Sequence, residues 1–524
     1  MRGNITPERV KAEFERSVSY NQTIGLYSRV EQNEHFFVGN QWEGVSAPNL
    51  EKPVINMIKR VVLYFVANIV SDDIGVSAEV FGGGAEEDRI MQIVTEEISR
   101  ILENTKARTL NRKLLRDCAV DGDACLYVNF DPYAPVGDGV NATQGEIVLE
   151  TVDNTNIYFG NPECSDVQKQ PWIIIMQRRT LEEVRAEAEQ RGKKDFDVQE
   201  DRDVNGANLE NESGKTTVLI RLWKENGVVW ACKVAGDSFL MEPEELGYRL
   251  YPVAYMSWDE IKNSYHGQAA VTGIVPNQIY VNKIFAMCME HIKKTAFPKV
   301  LYNRQIIPGG LTNRVGEAIA VNGDPSAAVA STFRAPEMSS QVLPLVERIM
   351  NYTKEAMGAS DAALGNIRPE NTSAIIAVQK SAALPLELNR MSFYQFVEDY
   401  IRVFLDVMRV NYGRRPVGYR NEAGEMENIL FDFSQLERLR MKLDVSIGAS
   451  TYWSEIMQVQ TTDNLYAKGI IQDAVLYLES IPDGYVKNKA KIIEELKMRQ
   501  DSANGMQQPG AVPGIVPAAG GNMV

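Results

Sequence analysis

The sequence predicts a helix-rich α+β protein, and three observations carry that reading. Helical spacing and short β-branched runs alternate through the first half of the chain. Glu225-Asn226-Gly227 stands between two such runs, the signature of a two-residue hairpin turn. The second half changes character: two helical stretches flank a Pro- and Gly-bearing segment, and a helix of unusual length comes after them.

Thr6-Pro7 supplies an N-cap and a first-turn proline, and helical spacing runs from there to Gly39, a C′ residue. A second helix is expected over about 54–70 and a third over about 85–116, leading to Asp121-Gly122. Ala124 to Phe130 reads as a strand, Asp131-Pro132 opens a loop, and Glu146 to Val152 returns as the partner strand. Trp172 to Arg178 is a further strand, after which Thr180 caps a helix that stops at Gly192. Residues 193–214 are polar, acidic and glycine-bearing, which predicts a solvated loop.

Beyond Pro276 a helix is expected to Thr295. Ile274, Val281 and Cys288 recur at heptad spacing with Ile284, Phe285 and Ile292 beside them, and Lys283, Glu290, Lys293 and Lys294 lie on the other side. Strand-like pieces, Lys299 to Tyr302 and Ala318 to Val321, precede a second helix from Ser340 to Met357 that ends at Gly358. An antiparallel helix pair with a compact module at its tip is the expected arrangement. A glycine- and asparagine-bearing loop, 359–371, then leads to Thr372, the cap of a helix reaching Tyr412-Gly413. At ~1.5 Å per residue that helix would span ~60 Å. Pro385 inside it removes a backbone hydrogen bond and should kink it. Its later turns place Phe393, Phe396, Val397, Tyr400, Val403, Phe404, Val407 and Met408 on one face. Strand-like runs come next at Ile429 to Phe433 and Met441 to Ile447, then a helical unit over 452–500 punctuated by Gly469 and Pro482-Asp-Gly484. From Ser502 the chain is Gly, Pro, Ala and Gln without periodicity, which predicts disorder.

Composition narrows the functional classes. The 524 residues suffice for about three units at ~150 residues each. The balance of 55 Lys+Arg against 70 Asp+Glu gives a net charge of -15, which argues against a tight nucleic-acid binder, since phosphate neutralisation drives such binding. It leaves room for a protein past which DNA slides. Five cysteines, scattered and without a CxxC pair, read as buried apolar residues of a reducing compartment. The three histidines (His35, His266, His291) stand far from one another and from any cysteine at metal spacing, so zinc is not expected. Met1 to Val30 is charged throughout, unlike a secretory signal, and Val54 to Val70 carries Lys59, Arg60 and Asn68, too short and polar to cross a bilayer. The reading is a soluble protein with no membrane partner.

Ser213-Gly214-Lys215-Thr216 resembles the end of a phosphate-binding loop. That loop needs a first glycine at 209, where the residue is Leu, and a helix after the lysine. Lys215 instead leads into Thr-Thr-Val-Leu-Ile-Arg-Leu-Trp and then the Asn-Gly turn, a hairpin. The stretch is read as the loop entering a strand. No carboxylate pair, Ser-His or Cys-His arrangement stands out, so neither catalytic residues nor a cofactor are expected, and the protein is not read as an enzyme.

Several segments in order resemble the portal (head-to-tail connector) proteins of tailed double-stranded DNA bacteriophages. They are Phe37-Val-Gly-Asn-Gln-Trp42 with Pro53-Val-Ile-Asn56, the turn Arg116-Asp-Cys-Ala-Val-Asp-Gly-Asp-Ala-Cys-Leu-Tyr-Val128, and Asn156-Ile-Tyr-Phe-Gly-Asn-Pro162 with Trp172 and Thr180-Leu-Glu-Glu-Val after it. The fullest match runs from Met357-Gly-Ala-Ser through Thr372-Ser-Ala into the kinked helix. The likeness covers roughly residues 20–500 and rests on the ordered set rather than on any one motif.

The resemblance implies a portal fold: a wing over 1–265, a stem helix over 266–295, a clip over 296–337 and a second stem helix over 338–358. It further implies a tunnel loop over 359–371, a kinked tunnel helix over 372–413, wing strands over 414–451, a crown over 452–500 and a disordered tail over 501–524. The function implied is a dodecameric ring at one capsid vertex, within the virion and assembled in the host cytoplasm. Double-stranded DNA would pass through it without sequence specificity during packaging and ejection. The implied partners are the large terminase ATPase, the major capsid and scaffolding proteins, and the head-completion or tail adaptors. Asn366, Arg368 and Asn371 become candidates for DNA contact in the loop, Lys283, Lys293 and Lys294 for a channel-facing band, and Pro385 for the kink. Read from the residues alone, the lysines can equally be solvated surface groups, the helix pair a hairpin in a monomer, and the loop an inter-helix connection. Another head-tail structural or adaptor protein is the alternative, and a nucleotide-binding enzyme a more distant one.

Overall fold

The structure is a computed structural model. It describes residues 5–48, 50–70, 74–80, 85–136, 143–194, 196–201, 214–296, 299–310, 318–327, 330–333, 338–358, 384–420, 426–438, 441–447, 452–481, 486, 488–489, 491–493 and 495–497. The chain mixes helix and sheet and divides into two units, Met1–Ile447 and Gly448–Val524.

Helix α1 (Pro7–Thr23) starts as expected, with Thr6 Oγ1 accepting from the Arg9 amide. It does not run on to Gly39. Gly25 takes a φ of +67°, a left-handed turn that ends regular helix, and α2 (Leu26–Val38) begins beyond it and closes at Gly39. Asn56 caps α3 (Met57–Ile69). Strand β1 (Ile74–Val80) had no counterpart in the sequence reading. The long helix expected next is two, α4 (Ala85–Asn104) and α5 (Ala107–Asp121), parted where Lys106 adopts a φ of +52°.

Strand β2 (Asp123–Val136) pairs antiparallel with β3 (Thr143–Val152), both longer than predicted. A five-stranded antiparallel sheet comes next: β4 (Ile157–Phe159), β5 (Trp172–Thr180), β6 (Lys215–Glu225), β7 (Val228–Ala235) and β8 (Ser238–Glu245), paired in that order. Helix α6 (Leu181–Gln190), closed by a Thr180/Glu183 capping box, links β5 towards β6. Asn226 and Gly227, at φ +52° and +82°, make the β6–β7 turn, as the sequence predicts. Strand β9 (Val253–Ser257) joins the other sheet beside β2.

Helix α7 (Val275–Thr295) and helix α8 (Val342–Ala356) pack together around Val281 and Val346, with Ile284, Phe285, Ile349 and Met350 beside them. Between them β10 (Lys299–Tyr302) pairs with β11 (Ala330–Phe333). Ala318–Val321, expected as a strand, is not one. That segment is tied to the turn at 303–307 instead, where the Asn322 amide donates to Ile306 O at 2.8 Å.

Pro385 lies in a one-turn 3-10 helix, Leu384–Leu386, directly ahead of α9 (Glu387–Asn411). The described α-helix therefore begins just after the proline. The loop 359–371, with Asn366, Arg368 and Asn371, and the first turns of the expected long helix lie outside the described residues. All eight apolar side chains assigned to the face of α9 are buried in the main core. There Phe393, Phe396, Tyr400 and Phe404 form a ladder with successive centroids 6.2, 5.8 and 5.4 Å apart. Strands β12 (Arg414–Arg420) and β13 (Met426–Asp432) form a hairpin, Phe433 opening the 3-10 turn after it rather than ending the strand. Strand β14 (Met441–Ile447) returns to pair antiparallel with β1 across most of the unit's length in sequence. In the second unit α10 (Tyr452–Ala467) and α11 (Ala474–Glu479) are separated by Gly469 at φ +70°. Residues 498–524, read as a disordered tail from 501, are not among those described. No helix among the described residues is long and apolar enough to cross a membrane.

Helix α1 lies on the five-stranded sheet through Val10, Phe14 and Val18. Within that contact the buried guanidinium of Arg221 donates from Nε to Glu13 Oε2 at 2.7 Å and stacks on Trp223. Removing only the carboxylate strands a charge in an apolar layer. Glu13→Ala should lower unfolding stability by about 3 kcal/mol. Glu13→Leu combined with Arg221→Met should cost less than the single change, as urea denaturation would read directly.

Candidate functional site

The helix pair α7–α8 is held to the α/β body by buried side-chain amides. Gln278 and Asn282, one turn apart on α7, face the segment that enters α3. Gln278 Oε1 accepts from the Met57 amide at 3.0 Å, and its Nε2 donates to Ile55 O at 2.7 Å. Asn282 Nδ2 donates to Gln41 Oε1 at 2.6 Å, and Gln41 Nε2 in turn donates to Phe36 O. Trp42 Nε1 reaches Pro53 O, and Asn56 Nδ2 reaches Phe37 O, so the turn that receives α7 is itself pinned. The two sequence segments 37–42 and 53–56 thus have a shared mechanical role. They form the socket for α7.

A second hub sits where β9 leads into α7. The Asp123 carboxylate, fully buried, accepts from Ser257 Oγ and the Gly267 amide, each at 2.8 Å, and lies 2.9 Å from His266 Nδ1 and 3.3 Å from Asn154 Nδ2. Gly122, at φ +108°, lets the chain turn out of α5 into this contact, and a Cβ at Gly267 would fall 2.6 Å from Ser257 Cβ. Ser257, His266 and Asp123 are the residue types of a hydrolytic triad in the wrong order. The serine donates to the aspartate rather than to the histidine, so no base touches the hydroxyl. The hub joins strand ends to the segment that leads into α7.

The three candidate lysines separate. Lys283 and Lys294, three helical turns apart, point the same way. Lys293, one residue further round, approaches Glu51 at 3.3 Å, and Lys294 pairs with Glu290 at 2.7 Å. Lys283 is exposed and has no ion-pair partner among the described residues. A continuous band of three free cations is therefore absent.

Exposed apolar side chains do gather on the pair. Tyr280 and Met287 on α7 and Leu345 and Tyr352 on α8 are roughly half to two-thirds exposed, Met287 at 67% and Tyr352 at 65%. They belong to turns whose other faces already pack in the α7–α8 seam, so each helix carries a second apolar stripe. The sequence shows these residues, but only the burial pattern shows that the seam leaves them uncovered.

Elsewhere, a cavity of about 1170 Å³ opens between the two sheets and α6. Its cations are paired: Glu187 accepts from Lys233 Nζ at 2.6 Å and contacts Arg179, and Arg191 lies 3.5 Å from it. Burial raises the Glu187 pKa, and Lys233 and Arg179 outweigh that and hold it below the ordinary carboxylate range. At the Ser-Gly-Lys stretch, the Gly214 amide donates to Glu200 Oε2 at 2.9 Å, and Lys215 opens a strand. A carboxylate stands where a phosphate loop would hold its anion, and no helix begins there. Four of the five cysteines are buried, Cys164 being partly exposed, and no group of three metal-ligating side chains occurs among the described residues. No protein-family model matches the chain, and no curated protein matches it.

Asp121 ends α5 beside the Asp123 hub, and burial first, then the charge of Asp117, pushes its pKa up to about 8. In the unfolded chain the group titrates near ~4. The folded state therefore keeps a proton that the unfolded chain loses, and the stability this contributes is full below pH ~4 and lost as the pH rises towards 8. Urea melts at pH 5 and pH 8 should show Asp121→Asn gaining on the unsubstituted protein at the higher pH. An equal difference at both pH values would contradict a raised pKa.

Proposed function

We propose that this chain is the subunit of a portal ring, a conduit for double-stranded DNA at one vertex of a phage capsid. The observation that carries the reading is the second apolar stripe on each helix of a pair that is rigidly socketed at its base. A helix hairpin that ends its packing at one seam is complete in a monomer. One that exposes Tyr280, Met287, Leu345 and Tyr352 as well has surface left for neighbours. Side-by-side association of unlike faces generates rings when the rotation closes. The ordered likeness of segments 37–56, 116–128, 156–184 and 357–374 to portal proteins supports the same reading.

In this reading α7 and α8 are the stem, and β10–β11 belongs to the clip that receives the terminase ATPase and later the tail adaptors. The mixed body from α1 to β9 is the wing, and α9 is the described part of the tunnel helix. The body meets capsid and scaffolding proteins. Residues 452–500 are the crown, twelve copies close the ring, and the chain itself turns over no nucleotide. A net charge of -15 suits passage: each phosphate neutralised adds to the affinity, so a strongly basic lining would hold DNA. Lys294, Asn366, Arg368 and Asn371 are the candidates for sparse, sequence-independent phosphate contact.

Negative-stain images of the purified full-length protein test the proposal. Rings of twelve-fold symmetry with an open centre are expected. Monomers or closed dimers at every concentration would remove it and leave the adaptor reading.

A further inference from the structure

The helix pair also fixes which residues of neighbouring copies meet, an inference that rests on the ring proposed above. Asn277 Nδ2 donates to Thr353 Oγ1 at 3.0 Å, which sets the height of α7 against α8. The helices are antiparallel, so each residue further along α7 is level with one earlier on α8. Counting from that bond, Lys283 is level with Glu347, and Met287 with Leu343. Taking helical spacing outward from the seam, Tyr280, Lys283 and Met287 of α7 and Leu345 and Tyr352 of α8 emerge on one side of the pair. Leu343 and Glu347 of α8 emerge on the other side.

Level residues on opposite sides cannot meet within one chain. A rotation about an axis along the helix pair changes no heights, so it brings one side of a copy to the other side of the next in unchanged register. We propose that the occupant of this face is a second copy of the chain, with Lys283 pairing to Glu347 of the neighbouring subunit and Met287 packing on its Leu343. The charges are complementary and neither has an ion-pair partner in its own chain among the described residues; the apolar pair is exposed on both sides, Met287 at 67% and Leu343 at 51%. Lys283 thereby leaves the channel wall and joins the seam between subunits. Lys294, which points the same way, moves to the seam side with it and leaves the phosphate contacts to the loop.

Two measurements on the full-length protein test the seam. In the first, Met287→Cys with Leu343→Cys is oxidised with a copper–phenanthroline catalyst and run without reductant. A ladder of linked subunits is expected, with each single variant remaining at the monomer position. In the second, Lys283→Glu should lower the fraction in rings by about fivefold at low salt, and adding Glu347→Lys should restore it to within about twofold. Rings that form without a ladder and ignore the charge reversal would overturn the seam while leaving the ring intact. An unsubstituted protein that forms no rings would overturn the reading on which the seam rests.

Discussion

Gln278 and Asn282 sit on the buried side of a helix whose opposite side faces solvent, and every polar atom they bury needs a partner. A carboxamide moved out of water without replacement hydrogen bonds costs roughly 1–3 kcal/mol. Here the partners are backbone groups of Ile55 and Met57 and the side chain of Gln41, each available only if residues 36–57 hold one conformation. The demand runs both ways: the socket orders the helix, and the helix orders the socket. Apolar packing alone would let α7 rotate or slide by a turn at modest cost, whereas an amide pair satisfied at one register does not tolerate the shift. The height of α7, and through Asn277 and Thr353 that of α8, is thus set by hydrogen-bond geometry rather than by hydrophobic contact.

The body that carries this socket is closed by contacts distant in sequence. Strand β14 pairs with β1, and α9 lays its aromatic ladder against α5 and the β3-β2-β9 sheet, with Tyr400 OH accepting from Asn111 Nδ2 at 3.2 Å. The Asp123 hub then ties that same sheet to the residues immediately before α7. Force applied to the helix pair would pass into two places, the amide socket and the carboxylate hub. Both are buried, both rely on several bonds, and both lie at the base of the pair. A projecting element anchored twice at its root resists tilting while its free faces remain available.

Local chemistry made much of this legible. Thr6-Pro7, the Thr180 capping box and Asn226-Gly227 specify their caps and turn within a few residues, and each formed where expected. Breaks that depend on one backbone dihedral were not visible in periodicity: Gly25 and Lys106 divide helices whose apolar spacing continues across them. Strand β1 was missed because its apolar pattern is short and its partner lies more than three hundred residues away. At the candidate site the lysines were visible as residue types, but Lys293 is distinguished from Lys283 only by the position of Glu51, which no spacing encodes. Gln278 and Asn282 were not singled out from the sequence. Their spacing of one turn on the apolar side was the only available sign that they are buried partners.

The placement of uncovered apolar surface separates the two halves of the problem. Tyr280, Met287, Leu343, Leu345 and Tyr352 on the pair, and Leu384, Leu388 and Met391 at the start of α9, are all exposed. The central strands β5, β6 and β7 of the body, by contrast, bury nearly all of their large apolar side chains. A chain able to cover its central strands so fully does not lack the means to cover a hairpin. Leaving each large side chain in water forgoes about 1.5–3 kcal/mol relative to burying it, and the cost recurs at several positions within one stretch of chain. Solubility alone would favour polar residues there, as it does on the outward face of α6. The apolar stripes make physical sense when the hairpin is half of an interface, and the amide socket makes sense when that interface must meet its partner at a fixed height.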